Sequence, residues 1–179
     1  MAVCVKGKAC EDEIPAADMA ALNAAVEHVL PSSVEVAKAY CEAVKHIVWR
    51  AGADELNRIT AGVATVALVL TAMTSHTHSE DVQRRGAWAL AGLAIVNPVI
   101  IAGILSHGGP DVLYTAADTH IASANVQGNV CRALYYIARD SADGRAVLRD
   151  GRAADVVTRA KAAHSGLYTP DWLLGILSV

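Results

Sequence analysis

His120-Ile-Ala-Ser-Ala-Asn-Val-Gln-Gly-Asn-Val-Cys-Arg-Ala-Leu-Tyr-Tyr-Ile-Ala-Arg139 decides the fold, because it restates the stretch from His76 to Ile95 at an offset of 44 residues. Val82-Gln83 returns as Val126-Gln127, Leu90 as Leu134, Leu93 as Ile137 and Ala94 as Ala138. Beyond this stretch, Val112 returns as Val156, and the histidine appears a third time at His164. A period in the low forties is the mark of stacked helical repeats. An earlier copy aligns after a two-residue slip, with Val36, Tyr40, Val44 and Ile47 opposite Val82, Gly86, Leu90 and Leu93.

Composition points the same way. The chain is 54% hydrophobic but only 4% aromatic and has no Phe, which describes an Ala/Val/Leu helical core in one domain. A net charge of −3 leaves no basic excess for generic phosphate-backbone binding, so nucleic acid is a poor fit. Cys4, Cys10, Cys41 and Cys131 form no C-x-x-C pair and follow no signal peptide. They read as reduced thiols in a cytoplasmic protein, with the nucleus as the second location. The segment from Gly86 to Pro110 carries no charge and could span a bilayer by length. Asn97-Pro98 interrupts it, however, and the aligned stretch one unit later holds Arg132, Arg139, Asp140, Asp143, Arg145 and Arg149, so no membrane span is expected.

Capping signals and apolar spacing divide each unit into three helices. Ser79, Ser123 and Thr169 stand as N-cap candidates before a long helix, and Pro170 fits a first helical turn, where its missing N–H costs nothing. Val126, Val130, Ala133, Leu134 and Ile137 form the stripe of a helix buried along one face, and Val82, Gly86, Ala89, Leu90 and Leu93 repeat it. A short helix should begin at Asn97-Pro98 and at Ser141, ending near Gly108 and Gly151, where glycine can adopt the left-handed conformation. A medium helix follows over about Pro110 to His120 and Arg152 to His164, with its earlier counterpart at roughly Val63 to Ser75.

These spans predict an all-α chain with a flexible segment over 1–12 and one repeat domain over 13–179. The domain comprises a half unit at 13–31, units at 32–78, 79–122 and 123–165, and a partial unit at 166–179. The last helix is rich in apolar residues, and Trp172, Leu173, Ile176 and Leu177 are the candidates for self-association into a homodimer through that end.

The V-Q-x(5)-A-L-x-x-I-A pattern from Val126 to Ala138, followed by the short helix at Arg145-Ala-Val-Leu-x-x-Gly151, resembles armadillo repeats, with HEAT repeats as the near neighbour. The resemblance covers most of the chain and is strongest over Ser79 to His164. It implies a right-handed α-solenoid of about three and a half three-helix repeats. Its long helices would line a concave groove that binds extended peptides or partner proteins without catalysis. Nuclear-import adaptors of this family place a Trp and an Asn four residues later on each long helix. Here Trp88-Ala-Leu-Ala-Gly92 keeps the tryptophan and loses the asparagine, while Glu42 with His46 and Arg132 with Tyr136 occupy the other units. Neither glycine nor tyrosine supplies a paired amide donor and acceptor, so import-signal binding is not expected.

Positions off the core stripe give a candidate groove surface of Lys38, Glu42 and His46, then Arg84, Arg85 and Trp88, then Asn129, Arg132 and Tyr136. Arginine holds carboxylates and aromatics anchor apolar side chains, so the expected ligand is an extended segment carrying acidic and hydrophobic residues. No cofactor or metal is expected. His76, His120 and His164 would lie about 10 Å apart, too far to share an ion, and an interaction of each imidazolium with its own helix C-terminus accounts for their recurrence. Gly-x-Ser-x-Gly is absent, and Gly108-Gly109-Pro110 lacks the Lys-Ser/Thr of a phosphate loop. The sequence therefore reads as a non-enzymatic interaction scaffold. The alternatives are a small homo-oligomeric assembly module and, behind it, a helical-repeat nucleic-acid binder.

Overall fold

The computed structural model describes residues 16–50, 64–95, 98–167 and 169–178. These residues form ten helices and no strand, the all-α class expected. They are α1 (Ala16–Val26), α2 (Val34–Arg50), α3 (Ala64–Ser75), α4 (Glu80–Ala94), α5 (Pro98–Ser106), α6 (Gly109–Thr119), α7 (Ala124–Arg139), α8 (Ala142–Asp150), α9 (Ala153–Ala163) and α10 (Thr169–Leu177). The expectations for residues 1–12, and for Asn97 as a helix start, fall outside the described residues. No helix among the described residues is long and apolar enough to cross a membrane.

The helix starts follow from short polar side chains. Ser79 Oγ accepts from the Val82 N–H at 3.5 Å, Ser123 Oγ from Val126 at 3.3 Å and Ser141 Oγ from Gly144 at 3.0 Å. Each satisfies one of the orphan donors of a first helical turn. Helix α10 begins at Thr169 itself, one residue earlier than a cap at that position implies. Gly108 closes α5 with φ +70°, the left-handed geometry expected. Gly151 does not share it. Its φ and ψ are −96° and −161°, and its N–H still reaches Val147 O at 3.1 Å, so α8 ends without a left-handed residue.

Packing is ordered by unit. The long helices contact one another in succession, α2 on α4, α4 on α7 and α7 on α10, while α3 contacts α6 and α6 contacts α9. Val126, Val130, Ala133, Leu134 and Ile137 are all fully buried, as are Val82, Ala89, Leu90 and Leu93 one unit earlier. The apolar stripe read from the sequence is thus the side of each long helix turned into the core. Helix α1 is tied in by a short polar chain. Tyr40 Oη donates to Asn23 Oδ1 at 2.8 Å, and Asn23 Nδ2 donates to Thr65 Oγ1 at 3.0 Å.

The periodic histidines and glutamines explain how successive units are joined. Gln83 Nε2 donates to the carbonyls of Met73 and His76 at 2.8 and 2.9 Å, and Gln127 Nε2 to those of Ala117 and His120 at 2.8 and 3.0 Å. A buried amide near the start of α4 and of α7 therefore satisfies carbonyls at the C-terminal end of the preceding medium helix. At the next equivalent position stands Asp171, which pairs with Lys161 instead. The histidines act differently from the expectation. Nε2 of His76, His120 and His164 reaches Leu30, Thr77 and Ile121 O at 2.9, 2.7 and 2.8 Å. Because a carbonyl only accepts, Nε2 carries the proton, and each ring bridges to the preceding unit instead of serving only its own helix end.

Candidate binding face

The predicted surface residues lie on the long helices, and ion pairs link those of α2 to those of α4. Glu42 on α2 binds Arg85 on α4 at 3.2 Å and also holds Lys45 and His46 of its own helix. Asp81 binds Arg84 at 2.9 Å and approaches Lys38 of α2 at 3.8 Å, while Lys38 also pairs with Glu35 at 3.1 Å. Partial burial pushes the Glu42 carboxyl up, but Lys45, Arg85 and His46 outweigh it and hold the group below its ordinary value. The Arg84 hydrogen bond, opposed by slight burial and aided by Arg85 and Lys38, does the same for Asp81. The expectation that Arg84 and Arg85 stand ready for an acidic ligand is corrected by this network, because Asp81 and Glu42 already occupy them.

The second half is aromatic. Trp49 and Trp88 meet edge-on at 6.4 Å, with Lys45 Nζ 4.9 Å and the Arg132 guanidinium 5.8 Å from the Trp88 ring centre. Tyr135 contacts Tyr136 at 5.3 Å and Trp172 of α10 at 5.9 Å, so ring contacts continue from α7 to α10. The Arg139 guanidinium lies 4.8 Å from the Tyr136 ring centre and donates through Nε to Asp140 at 2.8 Å. Trp49, Tyr135 and Arg139 were not among the predicted residues. Tyr135 and Arg139 lie one and three residues from Tyr136 on the same helix, the signal that could have found them, whereas Trp49 stands on α2 and no spacing ties it to Trp88. Arg132 has no carboxylate within ion-pair distance among the described residues and stands as the available cation of this half.

Two predicted residues leave the set. Asn129 is only 8% exposed and donates to Arg84 O at 3.0 Å, so its amide joins α7 to α4 and offers nothing to a ligand. Leu173, expected at a self-association face, is fully buried in the chain's own core, whereas Trp172 is 61% exposed and Ile176 and Leu177 are half-buried. At Gly92 the packing leaves no room for an asparagine. A Cβ there would meet Val48 Cγ2 at 2.5 Å and Trp49 Nε1 at 3.1 Å, because α2 and α4 approach too closely for any side chain.

The two described cysteines are withheld from this face. Cys41 and Cys131 are buried free thiols, and burial pushes both up to about 12, far from the thiolate needed for chemistry near neutral pH. Among the described residues no group of three or more His, Cys, Asp or Glu side chains is placed to hold a metal. Comparison with protein-family models, with curated proteins and with solved structures found no match to this chain.

Proposed function

We propose that this protein is a non-enzymatic scaffold of the armadillo kind, a right-handed α-solenoid that binds an extended segment of a partner protein along the shared side of α2, α4, α7 and α10. The observation that carries the reading is the run of ring contacts and stacked cations from Trp49 through Trp88 and Arg132 to Tyr136, Tyr135 and Trp172. Trp49 and Trp172 are exposed and the side chains between them half-buried, and aromatic and arginine side chains are the groups that most often dominate protein interfaces. The 43-residue bonds of His120 and His164, with the equivalent pairs of Gln83 and Gln127, support the repeat architecture by giving each unit the same joint to the one before. A cytoplasmic setting fits its reduced, buried thiols.

Affinity capture from lysate with the wild-type chain beside a Trp88→Ala, Arg132→Ala, Tyr136→Ala variant tests the proposal. A partner protein lost by the folded variant supports it, and a partner retained by the variant places the working surface elsewhere. Self-association is the second reading, favoured by Trp172 with 61% of its surface open. A concentration-dependent mass in sedimentation, abolished by Trp172→Ala, would support it.

A further inference from the structure

We infer that the recess between α7, α8 and α10 is the anchoring subsite of this scaffold, taking a carboxylate set beside a bulky apolar side chain in an acidic segment of a partner protein. The inference rests on the scaffold reading and goes beyond the predicted surface residues. Tyr135, Trp172, Gly175 and Ile176 line the recess together with Arg145 and Arg149. The floor is apolar and aromatic, with Tyr135 and Trp172 in ring contact at 5.9 Å.

The two guanidinium groups are oriented but not neutralised. Arg145 Nη1 donates to the carbonyls of Ala138 and Arg139 at 2.9 and 3.2 Å, closing the C-terminus of α7. Arg149 Nε donates to Leu177 O at 3.1 Å, which ties α8 to α10 and leaves both Nη groups unbound. Neither arginine has a carboxylate partner among the described residues, in contrast to Arg84, Arg85, Arg139, Arg152 and Arg159, each of which has one. Guanidinium groups held by neutral carbonyls keep their full charge and lose little freedom on binding, the arrangement that favours a carboxylate. Trp172 and Ile176 beside them supply the apolar anchor. A nucleic-acid backbone would need a longer row of free cations, and on the α2 and α4 side Lys38, Lys45, Arg84 and Arg85 are all paired.

The test is selection of a random peptide library on the full-length chain, followed by binding of the enriched synthetic peptides to wild type, Arg149→Glu and the Trp88→Ala, Arg132→Ala variant. Enriched peptides should carry Asp or Glu beside Leu, Ile, Phe or Trp. Arg149→Glu should weaken them by roughly tenfold or more, the scale of one charge-assisted pair. Replacing the peptide's acidic residue by Lys should restore binding to Arg149→Glu, which a merely misfolded variant could not do. Peptides lost on Trp88→Ala, Arg132→Ala but indifferent to Arg149→Glu would overturn the subsite and leave the scaffold reading standing. The absence of any enriched peptide would overturn both. An Arg149-dependent self-association, or Arg149-dependent binding of single-stranded DNA or anionic vesicles in place of peptide, would overturn the assigned occupant.

Discussion

His120 Nε2 lies 2.7 Å from the carbonyl oxygen of Thr77, a residue 43 positions earlier, and His164 makes the equivalent bond to Ile121. The ring sits at the end of one unit's medium helix and reaches the turn that ends the unit before. The bond ties the end of α6 to the turn after α3, so its strength is a direct measure of the coupling between those two stretches. Replacing His120 by Ala should lower the unfolding free energy by about 1 kcal/mol, the net worth of a partly buried hydrogen bond. Urea denaturation followed by circular dichroism measures this, and an unchanged midpoint would show that the bond carries no coupling.

Gln127 should matter more than His120. Its amide is fully buried and serves two carbonyls at once. Gln127→Leu takes the donor from the Ala117 carbonyl and leaves His120 O with the Ser123 N–H alone, and should cost about 2 kcal/mol or more. Gln127→Glu should cost more still at neutral pH, because a buried carboxylate would face two carbonyl oxygens. Its folded value would be raised, so the deficit of Gln127→Glu should shrink as pH falls and the acid gains a proton to donate, while that of Gln127→Leu stays constant.

Gly92→Asn, which would place an asparagine four residues after Trp88, should destabilise the chain by about 1–3 kcal/mol, as overpacking does. Val48 Cγ2 and Trp49 Nε1 leave its side chain no room. Thermal melting of this variant beside Gly175→Asn, where a Cβ meets nothing within 4 Å, separates crowding from the general cost of replacing a glycine.

Much of this architecture was legible in the sequence because it is local or periodic. Ser79, Ser123 and Ser141 act within one helical turn, and the buried stripe of α7 is a matter of helical spacing. What escaped is contact across units. The acceptors of His120 and His164 are backbone carbonyls, which leave no mark on residue identity. Arg85 with Glu42 was within reach, since a separation of 43 residues falls within one helical turn of the 46-residue offset between α2 and α4 and brings the two to adjacent long helices, yet both were read as separate surface groups. Asn129 was taken for a surface residue because it lies off the apolar stripe, whereas the close packing of α4 and α7 buries it and turns its amide to Arg84 O. Arg145 and Arg149 belong to a short helix whose sequence points only to its caps, and their role depends on where α10 lies.

Acid should loosen the joints between units. Glu42, Asp81 and Asp118 are all held below their ordinary carboxylate values. For Asp118, partial burial opposes the lowering, and the hydrogen bonds from Arg159 and Arg152 overcome it. A lowered folded value means the stabilisation is complete above the ordinary values of 4.5 for Glu and 3.8 for Asp and is lost as pH falls through the lower folded ones. Unfolding midpoints should therefore be flat with respect to these groups near neutrality and fall below about pH 4, with added salt reducing the difference at these half-exposed sites. Glu42→Gln should flatten part of that acid limb.

Photo-crosslinking in lysate tests the central claim most directly. A crosslinking residue would be placed in turn at His46 and Tyr136, on the proposed binding side, and at Thr74, Thr115 and Thr158, exposed positions on α3, α6 and α9. The account predicts that one partner protein is captured from His46 and Tyr136 and not from the three threonine positions. Capture of the same partner from Thr74, Thr115 or Thr158, with none from His46 or Tyr136, would place the working surface on the medium helices and contradict it.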